Sequence, residues 1–215
     1  MRELIDIKYS ITYSEKEKMV LFLPAKTGTI HASFLFNHFD FTTDLFNHNE
    51  EIIYRNNFVV HHHDMKIFKK FEIYSIICTA RNPYSRLISE YYHSKKTTEF
   101  EGRPMDDFKR FFSKTVSEKE YFYKNVFFLE KIPTYFLRVE NLYHDYIQIP
   151  FIQNSKLNKS GLLYELCNKK LHISSENTKS MEEYYTQDMA DYLYTNFKSY
   201  FDLLGYDKDS WKDKK

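Results

Sequence analysis

Short continuous apolar runs alternate along this chain with segments in which apolar residues recur every three or four positions. The first run, residues 19–23, reads M-V-L-F-L and is typical of a fully buried strand. It ends at Pro24, and after a loop of small residues Ile30, Phe34 and Leu35 follow at helical spacing. The pattern therefore predicts a strand, a tight loop and a helix in direct succession.

Three further strands are predicted at residues 58–62, 73–79 and 134–139, with helical segments between them. Strands that alternate with helices form a parallel sheet covered on both faces. The expected fold is α/β, a P-loop-like three-layer arrangement with a central parallel sheet flanked by helices. Neither a repeat nor a linker is visible, so residues 1–215 are expected to form a single domain.

Two of the predicted helices have clear boundary signals. Pro83 suits the first turn of a helix, with Asn82 as its N-cap. The last helix is predicted over residues 186–204 and ends before Gly205. Between them, residues 105–130 are helical in pattern and rich in aromatic side chains, which are expected to fill the core.

Composition narrows the class of protein. Lys and Arg number 31 against 30 Asp and Glu, which argues against a dedicated nucleic-acid binder. Cys78 and Cys167 are interpreted as a buried strand thiol and a helical thiol, the usage expected in a reducing compartment. The first residues form no signal-like apolar run, and no stretch approaches the ~18 apolar residues of a membrane span. A cytoplasmic protein without a membrane span is expected.

The segment 24–29, P-A-K-T-G-T, follows the first predicted strand, where open α/β sheets bind ligands. Backbone N–H groups at the start of the following helix can bind an anion, and Gly28 permits a close approach. Lys26 adds a mobile positive charge, and Thr27 and Thr29 add hydroxyl donors. The alternative is an ordinary strand-to-helix turn. A Walker P-loop is disfavoured, because no glycine precedes Lys26.

A second segment, residues 81–91, reads R-N-P-Y-S-R-L-I-S-E-Y. Arg81 stands at the end of a predicted strand, and Ser89 follows eight residues later, about two helical turns on. Both side chains can therefore bind one phosphate group.

With both segments, the chain resembles the sulfotransferases that use 3′-phosphoadenosine 5′-phosphosulfate (PAPS), and is closest to their carbohydrate branch. That family has a lysine loop near P-K-[ST]-G-[ST] for the 5′-phosphosulfate, and R-[ND]-P-x-x-R-x-x-S-x-Y for the 3′-phosphate. The resemblance implies that the first group is bound by Lys26, Thr27, Gly28 and Thr29, and the second by Arg81 and Ser89.

Two weaker features agree with the resemblance, and two positions depart from it. Residues 136–142 are similar to the family's later strand with its R-x-E-x-L, and residues 177–206 to its closing helix before F-G-Y. Ala25 separates the proline from the lysine, and Ile30 replaces a frequent hydroxyl residue. The lysine, the glycine and the helix start are all retained.

The resemblance implies transfer of the sulfuryl group of PAPS to an acceptor hydroxyl, with a carbohydrate as the expected acceptor, by in-line displacement without a metal ion. Lys26 would stabilise the charge that grows on the bridging oxygen. The base is expected in residues 61–63, H-H-H, where strand alternation puts His61 and His63 on one face. The family favours His63, with His61 next.

Other interpretations of these residues stay open. The histidines can be a packing or solvated cluster, or a metal site of His61, His63 and Asp64, and Glu50 or Glu51 can supply a carboxylate base instead. At the level of function, the alternatives are a nucleotide-dependent kinase or phosphotransferase and a non-catalytic nucleotide- or glycan-binding module.

Five more charged or polar side chains have expected roles besides those of the main motif residues. Arg86 contacts the 3′-phosphate or pairs with a helix carboxylate, and Arg138 forms a structural ion pair with Glu140. Lys179 and Ser180 lie where the family places a loop over the nucleotide, or in a solvated loop.

Overall fold

The structure is a computed structural model that describes residues 9–24, 27–46, 52–55, 73–96, 108–117, 132–169 and 180–212. Six strands in these ranges form one sheet: β1 (Tyr9–Ser14), β2 (Met19–Phe22), β3 (Thr42–Phe46), β4 (Ile52–Arg55), β5 (Ser75–Ala80) and β6 (Tyr135–Arg138). Their order across the sheet is β4-β3-β1-β2-β5-β6.

The sheet is mixed: the predicted central parallel sheet is confirmed for β2, β5 and β6, whereas the strands on the β1 side, which were not predicted, run antiparallel. β2, β5 and β6 run parallel, with Phe22 opposite Cys78 and Cys78 opposite Phe136. β1 is antiparallel to β2 and to β3, and β3 is antiparallel to β4. The cause is the connection between β1 and β2, residues 15–18, which is a tight turn too short for a crossover.

The predicted strands at residues 19–23, 73–79 and 134–139 are confirmed as β2, β5 and β6. The strand predicted at residues 58–62 lies outside the described residues.

The helices of the described ranges are α1 (Thr29–Phe36), α2 (Pro83–Lys96), α3 (Phe108–Ser117), α4 (Leu142–Tyr146), α5 (Pro150–Gln153), α6 (Lys156–Lys159), α7 (Leu162–Asn168), α8 (Gln187–Asn196) and α9 (Lys198–Leu204). Together with the sheet they make an α/β fold in which a mixed sheet is flanked by helices.

The last helix is divided in two, which corrects the prediction of one helix over residues 186–204. Thr186 is the N-cap of α8, and Gly205 ends α9 as predicted, with a φ of 71°. Between them Phe197 leaves the helical conformation, with φ −122° and ψ 25°, while its ring stays buried. Side-chain packing therefore overrides the uninterrupted helical pattern at this point.

The chain separates into two compact units. The first unit comprises Met1–Ala80 and Val126–Lys169, and the second comprises Arg81–Asn125 and Lys170–Lys215. The core of the first unit includes Leu21, Leu35, Phe36, Phe41, Ile77, Leu137, Tyr146, Ile149, Ile152 and Leu163. The core of the second is mainly aromatic and includes Tyr84, Tyr91, Phe108, Phe111, Phe112, Tyr185, Phe197, Tyr200 and Phe201.

Both cysteines are free thiols in the first unit. Cys78 is buried in β5 and Cys167 lies in α7, as predicted. Burial raises the pKa of the Cys167 thiol to about 12, so it stays protonated at neutral pH. Among the helices of the described ranges, none has the length and apolar character needed to cross a membrane.

The end of β6 is held by a charged pair. Arg138 donates from Nε and Nη2 to the Asp145 carboxylate at 3.0 and 2.6 Å, and its backbone N–H donates to the same carboxylate at 2.7 Å. Asn141 adds a fourth hydrogen bond from Nδ2 at 3.0 Å. The sequence predicts an ion pair of Arg138 with Glu140, whereas the structure shows an ion pair of Arg138 with Asp145, a buried residue of α4.

We expect Asp145→Asn to lower the free energy of unfolding by about 2 kcal/mol, because a buried carboxylate that accepts four hydrogen bonds loses its charge. The Arg138 side chain is 32% exposed, which keeps this figure below that of a fully buried pair. Urea unfolding followed by circular dichroism measures the change. Glu15→Gln is the matched control, since Glu15 pairs with Lys18 on the exposed β1–β2 turn. Equal unfolding midpoints for the two variants would contradict the structural role of Asp145.

Candidate functional site

The loop after β2 is organised around the carbonyl oxygen of Pro24. Thr27 donates its hydroxyl proton to that oxygen at 2.6 Å, and Thr29 donates to it at 3.1 Å. Both threonine side chains are buried. Because a hydroxyl has only one proton, these two hydroxyls are engaged with the loop's own backbone. What Thr27, Gly28 and Thr29 can offer an anion is therefore their backbone N–H groups.

Thr27 also connects the loop to the end of β5. Its Oγ1 lies 2.6 Å from Oγ1 of Thr79. Since the Thr27 proton goes to Pro24, Thr79 is the donor in this pair. Ala25 and Lys26 lie outside the described residues, so the predicted phosphate lysine has no described position.

Gly28 is the residue before α1 and has a left-handed backbone, with φ 78° and ψ 25°. A Cβ atom at this position would lie 2.9 Å from Cγ2 of Val139, which follows β6. A side chain here would thus meet both a conformational and a steric penalty. Glycine is required by the backbone of the loop itself, whatever the loop binds.

The amino-terminal end of α1 has the features of a fixed donor array. The N–H groups of its first turn have no intrahelical acceptor, and the turn carries no acidic residue that would compete with an anion. The helix is anchored by the buried side chains of Leu35 and Phe36, and by His31, whose Nε2 donates to the Leu166 carbonyl at 2.9 Å. This hydrogen bond gives His31 a structural role.

The second segment begins with a capped helix, as predicted. Asn82 accepts a hydrogen bond at Oδ1 from the Tyr84 backbone N–H at 2.9 Å, and its carbonyl accepts from Arg86 N–H at 2.8 Å. Pro83 is the first residue of α2. This start of a 14-residue helix directly follows Arg81 in the chain.

Arg81 and Ser89 are the two candidate phosphate ligands of this segment. Arg81 donates from Nε to Ser85 Oγ at 2.8 Å, which fixes the plane of its guanidinium group. Ser89 is partly exposed, and its hydroxyl has no hydrogen-bond partner within the part of the chain that the structure describes. Ser85 of α2 thus orients the guanidinium group of Arg81, and the Ser89 hydroxyl can bind a ligand.

Arg86 is a core residue of the second unit, with 1% of its side chain exposed. The carboxylate of α2, Glu90, forms no hydrogen bond or ion pair with a described residue, so it is not the helix carboxylate predicted to pair with Arg86. The burial of Arg86 favours a role in packing over contact with a nucleotide that arrives from solvent.

Of the remaining candidate residues from the sequence analysis, Ser180 is described by the structure and the others are not. Ser180 accepts a hydrogen bond from the Glu183 backbone and completes a capping box with the Glu183 side chain. Several predicted residues lie outside the described ranges: His61, His63, Asp64, Glu50, Glu51 and Lys179. The histidine base and its alternatives therefore remain predictions from the sequence.

Three contacts of the candidate site were not predicted. Ser85 stands four residues after Arg81, a helical spacing that could have indicated their hydrogen bond. Thr79 at the end of β5 and Val139 after β6 lie close to the 27–28 loop, and no local pattern in the sequence indicates either approach.

Comparisons of the chain with protein-family models, with curated protein sequences and with solved structures find no match.

We expect Gly28→Ala to lower the free energy of unfolding by at least about 1 kcal/mol more than Gly161→Ala does. Both glycines have positive φ, 78° and 79°, so both variants share the conformational penalty. At Gly161 an added Cβ would meet no atom within 4 Å, whereas at Gly28 it meets Val139. Thermal and urea denaturation measure the difference.

Val139→Ala in the Gly28→Ala background should recover most of that difference, because it removes the obstructing methyl group. Equal losses for the two glycine variants would contradict the close approach of Gly28 to Val139.

Proposed function

We propose that this chain is a PAPS-dependent sulfotransferase that transfers the sulfuryl group to a hydroxyl of an acceptor, with a carbohydrate as the acceptor class. The observation that carries the proposal is the segment that starts at Arg81. Its motif residues are accompanied by a helix capped at Asn82, a guanidinium group held by Ser85, and a Ser89 hydroxyl that is partly exposed. An oriented arginine just before a helix and a hydroxyl donor on that helix suit a phosphate monoester.

In this proposal the 3′-phosphate of the nucleotide is bound by Arg81 and Ser89. The 5′-phosphosulfate is bound by the backbone N–H groups of residues 27–29 at the start of α1, where the dipole of the helix favours negative charge. Lys26 supplies the positive charge. The loop would thus bind through its backbone, since its threonine hydroxyls donate to Pro24.

The reaction is an in-line displacement at sulfur. The acceptor oxygen forms a bond to sulfur while the bond from sulfur to the bridging phosphate oxygen breaks, and the electron pair stays on that oxygen. Lys26 would stabilise the negative charge that develops there. His63, or His61 in its place, would take the proton of the acceptor hydroxyl.

A nucleotide kinase is less compatible with the loop. In P-loop kinases and ATPases the loop's serine or threonine hydroxyl is a ligand of Mg²⁺. Here Thr27 is buried at 1% exposure, and its hydroxyl is shared between Pro24 and Thr79. A non-catalytic binding module would bind the nucleotide equally well, so turnover is what distinguishes it from the enzyme.

Calorimetric titration without metal tests the nucleotide assignment. We expect the wild-type protein to bind 3′-phosphoadenosine 5′-phosphate more tightly than ADP, because Arg81 and Ser89 bind the 3′-phosphate. Arg81→Ala should weaken that binding by about 2–4 kcal/mol, or about 30- to 1000-fold in Kd. Ser85→Ala should cause a smaller loss, since it releases the guanidinium group without removing it.

Arg110→Ala is the matched control, because Arg110 is exposed on α3 in the same unit. Equal affinity of the wild-type protein for ADP and for 3′-phosphoadenosine 5′-phosphate would refute the proposed function. Unchanged affinity in Arg81→Ala would show that the second motif had been misassigned.

Lys26→Ala should lower the rate of sulfuryl transfer from PAPS by two or more decades, because its charge acts mainly in the transition state, and each decade is about 1.4 kcal/mol. The assay measures formation of 3′-phosphoadenosine 5′-phosphate with a panel of glycans. Lys16→Ala, at an exposed lysine of the β1–β2 turn, is the control. A chelating agent should leave the rate unchanged. Near wild-type turnover in Lys26→Ala would remove the lysine from the mechanism.

A further inference from the structure

The segment of residues 207–212, downstream of α9, contacts the start of α2. Two turns shape it, with Ser210 N–H bonded to the Asp207 carbonyl at 3.1 Å and Lys212 N–H to the Asp209 carbonyl at 2.9 Å. Trp211 in this segment is buried and packs near Tyr185, with ring centroids 6.4 Å apart. All of these residues belong to the second unit. The segment is therefore ordered by its own turns and by the core.

Asn82 joins this segment to the helix cap. Its Nδ2 donates to Ser210 Oγ at 2.9 Å, with a longer contact to the Ser210 carbonyl at 3.4 Å, while Oδ1 of the same amide caps α2. An amide group is planar, so a hydrogen bond on its nitrogen side also fixes where its oxygen points. Ser210 thus holds Asn82 in the orientation that the cap requires.

Tyr84 makes a second connection two residues later. Its hydroxyl donates to the Lys208 carbonyl at 2.8 Å, and its own carbonyl accepts from the Tyr185 hydroxyl at 2.9 Å. Burial, with a further contribution from the charge of Asp209, raises the pKa of the Tyr84 phenol well above its usual value. The phenol therefore stays protonated at neutral pH and remains a donor.

A surface ion pair adds a third connection. Lys208 lies 2.8 Å from Asp191 of α8, and both side chains are nearly half exposed. Such a pair stabilises the fold little. The hydrogen bonds to Asn82 and Tyr84 are the contacts that tie the segment to α2.

We infer that Ser210 is a positioning residue for the phosphate-binding arginine: by holding Asn82, it fixes the residue that directly follows Arg81 and so the direction in which the Arg81 side chain leaves the backbone. The inference rests on the proposed function, because it takes Arg81 as the ligand of the 3′-phosphate. It extends that function by adding residues 207–212 to the structure that supports the nucleotide site.

The chain's one tryptophan, Trp211, is adjacent to Ser210 and reports on this segment directly. Its indole N–H is buried without a hydrogen-bond partner among the described residues, so its emission is sensitive to small shifts of its surroundings. If Ser210 and Arg81 are coupled, then binding at Arg81 changes the free energy with which the segment is held, because the coupling free energy between two sites is reciprocal.

The experiment compares two nucleotides, 3′-phosphoadenosine 5′-phosphate and adenosine 5′-phosphate, which differ only in the 3′-phosphate. In wild-type protein we expect Trp211 emission to change on saturation with the first and to change far less with the second. Ser210→Ala should weaken binding of the first about three- to tenfold, the worth of one hydrogen bond, and leave the second unchanged. Ser210→Thr, which keeps the hydroxyl, should restore most of the affinity.

Ser113→Ala is the control, since Ser113 is exposed in α3 and its hydroxyl donates to the Lys109 carbonyl of its own helix. Wild-type affinity in Ser210→Ala would overturn the positioning role and leave the proposed function intact. An equal loss for both nucleotides would also overturn it, because a general loss of structure does not select the 3′-phosphate. Equal affinity of the wild-type protein for the two nucleotides would overturn the proposed function and this inference together.

The Trp211 measurement needs no variant, so the inference can be tested even if Ser210→Ala fails to fold. Unchanged emission in wild-type protein that calorimetry shows to be saturated with 3′-phosphoadenosine 5′-phosphate would overturn the coupling.

Discussion

The parallel pairing of β2 with β5 is the constraint on which the rest of the first unit depends. It places the end of β2, and hence the loop that follows it, beside Thr79 at the end of β5. β6 continues the parallel set on the other side of β5, and the residue after it, Val139, limits the volume beside Gly28. The loop is thus shaped by two neighbouring strands, and the Arg138–Asp145 pair holds the second of them in place.

Strong local patterns explain why part of this fold was predictable. β2 and β5 are continuous apolar runs, α2 begins at an Asn-Pro cap, and Gly205 ends α9. A few neighbouring residues therefore specify each of these elements or its end. β1 reads Y-S-I-T-Y-S, where a weak alternation without an apolar run gave no comparable signal. The hairpin of β1 and β2, which the sequence analysis did not predict, makes the sheet mixed.

The motif residues of the candidate site could be located from the sequence, but the contacts that orient them could not. Thr27 and Thr29 have the residue type of phosphate ligands, yet their protons go to Pro24, because a strand-end carbonyl buried in a tight loop must find a donor. Asn82 and Ser210 are 128 positions apart, and only the folded chain brings them together. Residue type predicts what a side chain can do, whereas competition for its hydrogen bonds decides what it does.

Because of this competition, the two candidate phosphate contacts would use different groups: the backbone near Gly28 and a side chain at Arg81. Around Gly28 the hydroxyls are used internally, so an anion bound there would contact backbone N–H groups, whose direction cannot change without moving α1. A phosphate bound at Arg81 would contact a side chain, and a side chain needs other groups to hold it. Ser85 holds the guanidinium group directly, and Ser210 acts one step further back through Asn82. A backbone site is specified by the fold alone, whereas a side-chain site needs additional polar residues, and here those residues come from distant parts of one unit.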